Sequence, residues 1–311
     1  MPLTVEVADH VGHDWAETVG APIFYTRAFL SAYDRHPLQP GRLSYVLLRD
    51  GETTVAAVPC QRHSRPDPLG TLASILPDGA EGGALLTHVL HCYDTRIVAP
   101  DVTDGIVEAT CDALSDLAGG PWGFVNVAEP LARSLRGTSL TEVPMPERYR
   151  MRIADVTFED YFASLRSAHR RAIESGVRVE IHDGSSAHIE ALAGLLADLA
   201  GRHDAAAYYP PNIVPFVRAL GRVANVVEVW SAETLLAGGV NLVHGDTYHL
   251  WAAGARYGVT SFSPYYVLVL EVLRRAFAVG ASVIEGGRGN GQFKRRYGFE
   301  PVPLSAFLGA R

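Results

Sequence analysis

The order of strand-like and helix-like segments in residues 149–308 is the feature that most constrains how this chain can fold. Short apolar or alternating runs predict strands, and apolar residues that recur every three or four positions predict helices. Three consecutive strand-like runs joined by short turns predict antiparallel pairing, and the whole order predicts an α/β fold with mixed sheets. In order, the predicted segments are strand 149–153, helix 157–174 with Thr157 as its N-cap, strand 177–181, helices 186–202 and 211–223, strands 226–231, 235–243 and 247–253, helix 263–279, strand 281–285, helix 292–297 and strand 300–308.

The first half of the chain follows the same order less clearly. Two alternating runs flank Asp50-Gly51, a dipeptide that is favoured in tight hairpins. Residues 142–148 contain Pro144 and Pro146 and are predicted to be a linker. Two related α/β units are therefore predicted, 1–150 and 151–311, of which the second is the clearer. The segments predicted in the first half are strand 3–7, helices 14–19 and 26–35, strands 44–49 and 53–61, loop 64–82, helix 102–117 and strand 122–127.

Composition excludes several classes of protein. Of the 311 residues, 48% are hydrophobic, which is too many for a disordered chain, and no uncharged apolar run of about 18 residues predicts a membrane span. The acidic N-terminal segment does not resemble a signal peptide. Three cysteines without C-x-x-C spacing argue against a disulfide framework or a zinc site and fit a reducing cytoplasm. The net charge of −7 argues against a nucleic-acid-binding protein, and the acidic first half offers no obvious RNA surface. Residues 151–311 alone carry a net charge of +1, so local basic clusters there could still meet an anionic ligand.

Lysine is almost absent from the chain. Of 27 basic residues, 26 are arginine, and the single lysine is Lys294. A lysine ammonium is a compact charge on a flexible stem, and a planar guanidinium does not replace it at every site. Lys294 therefore has two possible interpretations. Either its ammonium has a functional role, or the chain has a general preference for arginine and this single lysine is there by chance.

The chain does not match several well-known catalytic and ligand-binding motifs. The glycine-rich run 286–291 is not a Walker A loop, because Gln292 follows Gly291, and it does not continue as G-x-G-x-x-G. Glycines of a tight turn are the preferred interpretation. His88 and His91 stand three residues apart beside Cys92 and could share a helix face, but no fourth ligand is evident, and ordinary packing is favoured. No G-x-S-x-G or H-E-x-x-H motif occurs, so no metal is expected.

One constellation remains, in the segment ASVIEGGRGNGQFKRRYGF at 281–299. A predicted strand ends in Glu285, the glycines allow a sharp turn, and Lys294 falls in the first turns of the next helix. Ligands of open α/β sheets bind beyond the carboxyl ends of strands, and a helix N-terminus with a nearby lysine suits an oxyanion or a phosphate. The alternative for Glu285 is a structural carboxylate paired with Arg288.

The second half resembles the GNAT acyltransferase fold, and more specifically the Fem-type aminoacyltransferases of peptidoglycan-bridge synthesis and their FemAB-like relatives. Phe293-Lys294 and Tyr297-Gly298 match the F-K-x-x-F-G signature of that group, with tyrosine in place of the second phenylalanine. Segments 158–176 and 265–299 resemble helices and turns of the same group, and residues 24–36 resemble an early helix of FemAB-like proteins.

The resemblance implies tandem GNAT-like units that transfer an acyl or aminoacyl group directly to an amine, with no tightly bound cofactor. Lys294 would stabilise the tetrahedral oxyanion, and Glu285 and His249 are the candidate bases, although a hydrogen-bonded core histidine is the favoured interpretation of His249. Tyr265 and Tyr266 would line the acceptor pocket or pack in the core. The remaining candidates for substrate binding are Arg288, Asn290, Phe293, Trp251 and Arg256.

The sequence departs from the pattern of acyl-CoA-dependent GNAT enzymes. They carry Q/R-x-x-G-x-G/A before the long helix, where backbone amides hold the pyrophosphate, whereas this chain places Val259 at the first glycine of the run that starts at Arg256. This difference favours aminoacyl-tRNA over acyl-CoA as the co-substrate. No coiled-coil arm of the kind that tRNA-dependent Fem enzymes often add is visible. The acceptor would be an amine of a cell-wall precursor, a peptide or a small natural product. The alternatives are a CoA-dependent N-acetyltransferase and a GNAT-like binding module without activity.

Overall fold

The computed structural model describes residues 3–13, 15, 21–63, 72–76, 83–87, 92–165, 177–185, 188–203, 205 and 208–309. These residues fall into two compact units, Met1–Glu147 with Val302–Arg311 and Arg148–Pro301. The strands are β1 (Thr4–Ala8), β2 (Leu43–Asp50), β3 (Thr53–His63), β4 (Ala84–Thr87), β5 (Trp122–Val127), β6 (Thr141–Arg152), β7 (Arg178–Asp183), β8 (Ala224–Ser231), β9 (Thr234–His244), β10 (Thr247–Ala255), β11 (Val283–Arg288) and β12 (Glu300–Gly309). The helices are α1 (Arg27–Arg35), α2 (Asp104–Ala118), α3 (Leu131–Leu135), α4 (Phe158–Ser164), α5 (Ile189–Gly201), α6 (Ile213–Leu220), α7 (Pro264–Ala278) and α8 (Gly291–Arg296).

The first unit contains the strand order β1-β2-β3-β4-β5-β12. All of its strand pairs are antiparallel except β4–β5, which is parallel. The predicted hairpin at Asp50-Gly51 is confirmed, and Gly51 has φ 62°, a left-handed value that glycine adopts without steric cost. Helix α2 packs its apolar face, including Val107 and Leu114, into the core of this unit.

The second unit contains the order β6-β11-β10-β9-β8-β7, to which β6 contributes Arg148–Arg152. Only the β10–β11 pair is parallel. Helix α7 is apolar on most of its surface and lies in the core, as its sequence predicts, with Pro264 in its first turn. Thr157 caps α4 as predicted, because its Oγ1 accepts a hydrogen bond from the backbone N–H of Asp160 at 3.1 Å.

Two predicted segments differ from the structure. Residues 142–148 are not a linker but part of β6; Pro144 and Pro146 are two residues apart, so both remove donors from the same edge of the strand and leave the other edge able to pair. Strand β11 does not end at Glu285 but continues through Gly286 and Gly287, where an irregularity in the register with β6 accommodates the glycines.

Some predicted features lie outside the described residues, and one predicted unit boundary differs from the structure. Helix α4 is described to Ser164, and the rest of the predicted helix, 166–174, lies outside the described residues, as do His88 and His91. The second unit was predicted to extend to residue 311, whereas β12 pairs with β5, so Val302–Arg311 belong with the first unit. Among the described residues, no helix combines the length and the hydropathy that a membrane crossing requires.

Helix α5 lies directly against Gly254 of β10, which predicts a sensitive position. A Cβ atom at Gly254 would lie 2.7 Å from the backbone C and O of Leu195, and backbone atoms cannot move aside cheaply. We expect Gly254→Ala to lower the free energy of unfolding by about 1–3 kcal/mol, measured by denaturant titration. Gly194→Ala, in the same helix and facing open space, is the control and is expected to raise stability by up to about 1 kcal/mol. Equal unfolding midpoints for Gly254→Ala and the wild type would contradict the close contact.

Candidate active site

The two parallel strands of the second unit separate before they end. The register between β10 and β11 runs from Thr247–Val283 to His249–Glu285 and stops there. Just beyond this step both strands are irregular, β10 between Leu250 and Ala252 and β11 between Glu285 and Gly287. Each strand stays paired with its other neighbour, so the facing edges of β10 and β11 open into a wedge within the sheet.

A cavity of about 220 Å³ lies at this wedge. Its wall is mainly apolar, with a few polar side chains, which is the usual character of a small-molecule site. Six of the ten candidate site residues line it: Trp251, Tyr265, Arg288, Asn290, Phe293 and Lys294. The other lining residues are Leu199, Tyr209, Gly239, Asn241, Leu250, Ala252, Ala253, Leu268, Val269, Val272, Gly286 and Phe299.

Lys294 reaches back from α8 to the end of β11. Its Nζ donates hydrogen bonds to the backbone oxygens of Gly287 at 3.1 Å and Arg288 at 2.7 Å, and it lies 5.4 Å from the centroid of the Tyr149 ring. Burial, with the nearby charge of Arg288, lowers the pKa of Lys294 to about 7. An ammonium has three N–H donors, so the two carbonyl contacts leave one donor for a ligand in the cavity.

The turn that makes this approach possible contains Gly289 and Asn290, whereas Gly286 and Gly287 belong to β11 and Gly291 begins α8, so only part of the predicted turn is confirmed. Gly289 and Asn290 have φ of 73° and 49°, in the left-handed region where glycine and asparagine are the best tolerated residues. At Gly291, the first residue of α8, a Cβ atom would lie 2.0 Å from Tyr149 Oη, so a larger residue there would displace the tyrosine side chain. The turn thereby brings α8, and with it Lys294, back against β11.

Aromatic rings form one wall of the cavity. Phe293 lies 5.4 Å from Tyr265, 5.7 Å from Tyr266 and 4.8 Å from Tyr297, measured between ring centroids. Tyr265 lines the cavity, and its burial raises its pKa to about 12, so its hydroxyl stays protonated at neutral pH. Tyr266 packs against Phe293 outside the lining residues. Of the two tyrosines predicted for the acceptor pocket, the structure therefore brings Tyr265 to the cavity and Tyr266 to its support.

Glu285 and His249 sit opposite one another at the last paired step of the two strands. Glu285 is buried, and Arg148 Nη1 approaches its Oε1 at 3.2 Å and Arg150 Nε at 2.5 Å. Its predicted partner was Arg288, whereas the register places Arg150 directly across from it. His249 is also buried, and neither residue lines the cavity.

Arg256 stands apart from the cavity. Its Nε donates a hydrogen bond to the backbone oxygen of Leu235 at 2.9 Å, and its backbone N–H donates to Leu236 at 2.8 Å. These contacts tie the end of β10 to β9 and engage Nε of the guanidinium, although Arg256 as a whole is exposed.

Sequence reasoning missed two polar residues of the cavity wall, Asn241 and Tyr209. Asn241 is a buried amide in an otherwise apolar strand, and its Nδ2 donates to the backbone oxygen of Asn225 at 3.1 Å. An isolated asparagine within the apolar run 234–244 was the signal that could have revealed it. Tyr209 lies between helices, and its burial raises its pKa well above the usual range. No local pattern around Tyr209 pointed to the cavity.

Comparisons with known proteins agree with this geometry. Residues 160–295 match the family model described as Acetyltransferase (GNAT) domain, and the chain is an acyltransferase. A search of the curated proteins finds no match.

Three solved structures resemble the whole chain. The crystal structure of FemX matches at TM-score 0.65 and 12% identity over 96% of each chain. A tandem GNAT protein from the clavulanic acid biosynthesis pathway matches at TM-score 0.59 and 11% identity over 99% of this chain and 98% of its own. The C-terminal domain of a putative lysylphosphatidylglycerol synthetase from Agrobacterium fabrum matches at TM-score 0.61 and 10% identity over 91% and 86%. Such identities establish the fold alone, which is the predicted tandem GNAT fold.

Proposed function

We propose that the chain is an N-acyltransferase that moves an acyl or aminoacyl group from an activated ester or thioester to an amine in the cavity between β10 and β11. The observation that carries this proposal is the position of Lys294 Nζ, held by two backbone carbonyls beside the opened strand edges. The exposed peptide groups of the wedge can align an acyl donor, and Lys294 adds an N–H donor that its two carbonyl contacts hold in place. A fixed donor placed where negative charge develops is the largest contribution to acyl-transfer catalysis.

The reaction needs no covalent enzyme intermediate. The amine nitrogen attacks the carbonyl carbon, a C–N bond forms, and the carbonyl oxygen becomes an oxyanion that accepts the third N–H of Lys294. Collapse of this intermediate breaks the C–O or C–S bond, and the amine proton passes to the departing oxygen or sulfur. Glu285 serves as counter-ion to two guanidinium groups, and neither it nor His249 lines the cavity, so this proton transfer is assigned to the two reactants themselves. Holding both reactants in the cavity supplies the rest of the rate enhancement.

Aminoacyl-tRNA is the proposed donor. The loop 256–261 has Val259 in place of the first glycine of the run whose amides surround a pyrophosphate. The volume of about 220 Å³ suits an aminoacyl or short acyl group rather than a whole donor or acceptor. The fold shared with FemX supports an amine of a cell-wall precursor as acceptor, and the tandem GNAT relative supports a small natural product. Acyl-CoA is the second candidate donor, supported by the acetyltransferase description of the domain.

One assay separates the donors. The purified protein is given a panel of amines with either a mixture of charged tRNAs or acetyl-CoA, and N-acylated products are detected by mass spectrometry. We expect products from charged tRNA and their loss after treatment with ribonuclease. Products from acetyl-CoA that resist ribonuclease would assign the second donor. If neither donor yields product, while heat-denatured protein and the Lys294→Met variant give the same background, the proposal of an acyltransferase reaction in this cavity fails.

A further inference from the structure

A second cluster of titratable side chains, two histidines and two glutamates, lies at the β7 end of the strand order of the second unit. It is separate from the wedge between β10 and β11. Glu180 and His182 belong to β7, Glu228 belongs to β8, and His188 immediately precedes α5. One donor atom from each of the four lies within 4.8 Å of the corresponding atoms of the others. Nothing in the proposed acyl transfer uses this cluster.

The strand register explains why the four side chains meet. Glu180 and His182 are two residues apart, so both project from the same face of β7. Glu180 is directly opposite Glu228 in the antiparallel pair, which places two carboxylates side by side. Like charges opposite one another destabilise a sheet, and Glu228 is 0% exposed, so this arrangement calls for positive charge at the site. His188 and His182 approach the same oxygen, Oε2 of Glu228, at 3.0 and 3.7 Å.

We propose that Glu180, His182, His188 and Glu228 bind one divalent transition-metal ion, with Zn²⁺ as the expected ion. Two imidazole nitrogens and two carboxylate oxygens form a ligand set that suits zinc, which prefers four tetrahedral ligands at about 2.0–2.1 Å. Ligand atoms on such a tetrahedron lie about 3.4 Å apart. The separations of 3.0 and 3.7 Å, and of 3.2 Å between His182 Nε2 and Glu180 Oε2, lie close to that value.

Neighbouring groups orient both carboxylates. Trp230 Nε1 donates a hydrogen bond to Glu228 Oε2 at 3.1 Å, and Arg178 Nη1 contacts the far oxygen of Glu180, Oε1, at 2.5 Å. Arg178 therefore leaves Oε2 of Glu180 directed at the two histidines. Such outer contacts to the ligands are typical of metal sites, and they tune affinity by fixing ligand orientation.

A bound ion would hold together residues from three elements of the second unit. It would connect β7, β8 and the start of α5, the helix that lies against Gly254 and places Leu199 in the cavity wall. Four protein ligands leave no open position, so the site is structural rather than catalytic. His182 is 35% and His188 42% exposed at the side chain, which gives an ion access from solvent. Without an ion, the same four groups form a hydrogen-bonded cluster around Glu228.

Zinc titration of the untagged full chain tests the proposal. After treatment with a chelator and its removal, we expect isothermal calorimetry to show one Zn²⁺ per chain and added Zn²⁺ to raise the melting temperature. Co²⁺ in its place is expected to give the intense visible absorption of a tetrahedral site. His182→Ala and His188→Ala should each weaken Zn²⁺ binding at least about tenfold. His203→Ala removes an exposed histidine near the end of α5 and is the matched control, with unchanged binding.

A conservative variant distinguishes the loss of a zinc ligand from the loss of the folded structure. Glu180→Gln keeps the size of the side chain and removes one anionic ligand, so we expect a folded protein, judged by circular dichroism, with a weaker zinc response. Zinc binding that is equal in the wild type and in the His182→Ala/His188→Ala double variant would place the ion elsewhere and overturn the proposal. Failure of the wild type to bind Zn²⁺ at all would leave the hydrogen-bonded cluster as the correct description.

Discussion

Lys294→Met is expected to lower the acyl-transfer rate by about 10²–10³-fold, the usual cost of removing one donor to an oxyanion. The methionine side chain fills similar space, but it offers no N–H to the two carbonyls that now hold Nζ or to the reacting oxygen. Single-turnover rates with the active donor measure the effect at the chemical step. The loss should appear mainly in kcat, because the third N–H of Lys294 is used when the oxyanion forms.

Two further variants make the test specific to this ammonium. Arg296→Met removes a positive charge at the exposed end of the same short helix and is the control, with a rate near that of the wild type. Lys294→Arg is expected to lose activity as well, because a planar guanidinium does not fit the cradle formed by the oxygens of Gly287 and Arg288. If Lys294→Met retains full cellular function, the domain is a binding module; if Lys294→Arg retains full activity, the rarity of lysine in this chain has no functional meaning.

The pH dependence of kcat/KM should reflect the ionisation of the Lys294 side chain. Burial lowers the pKa of its ammonium to about 7, so the charged form predominates below that pH and is lost as the pH rises through it. If the ammonium stabilises the oxyanion, kcat/KM falls as the pH rises through about 7, and this limb is absent from Lys294→Met. A limb that falls as the pH drops through about 7 and that is absent from Lys294→Met would show instead that the neutral amine of Lys294 acts, as a proton acceptor for the attacking nucleophile.

The position of Lys294 beside the cavity was predictable from the sequence because the signals for it are local. A lone lysine follows a run of glycines, and the local structure favours glycine at these positions. Gly289 has a positive φ, and Gly291 lies against Tyr149. The order of elements was predictable for the same reason, since apolar periodicity and turn residues act over a few positions. The predicted N-cap Thr157 belongs to this class as well.

The partners of Glu285 and the full cavity wall were not predictable in this way. Arg148 lies 137 residues before Glu285 and meets it only through the pairing of β6 with β11. Residues 142–148 gave a misleading local signal, because two prolines indicate a linker unless both face the same strand edge. Asn241 and Tyr209 reach the cavity through packing, and a single sequence carries no information on which distant segments will meet.

Glu285→Ala is expected to destabilise the second unit by about 3–5 kcal/mol, the cost of breaking a buried ion pair by removing one partner. Arg148 is 2% exposed at the side chain, so its guanidinium would stay buried without the carboxylate that now balances it. Arg150 is 31% exposed and can turn to water, so most of the loss comes from Arg148. The midpoint of denaturant unfolding, followed by circular dichroism, measures the change.

Replacing both charges separates the ion pair from simple packing. In Arg148→Met/Glu285→Leu neither charge stays buried, and such apolar replacements are often neutral or stabilising, so we expect most of the lost stability to return. Glu190→Ala is the matched control on the same unit, because its ion pair with Arg218 at 2.7 Å is about half exposed and contributes at most about 1 kcal/mol. If Glu285→Ala and Glu190→Ala have similar small effects, Arg148 has other compensation, and the role of Glu285 as its essential counter-ion is wrong.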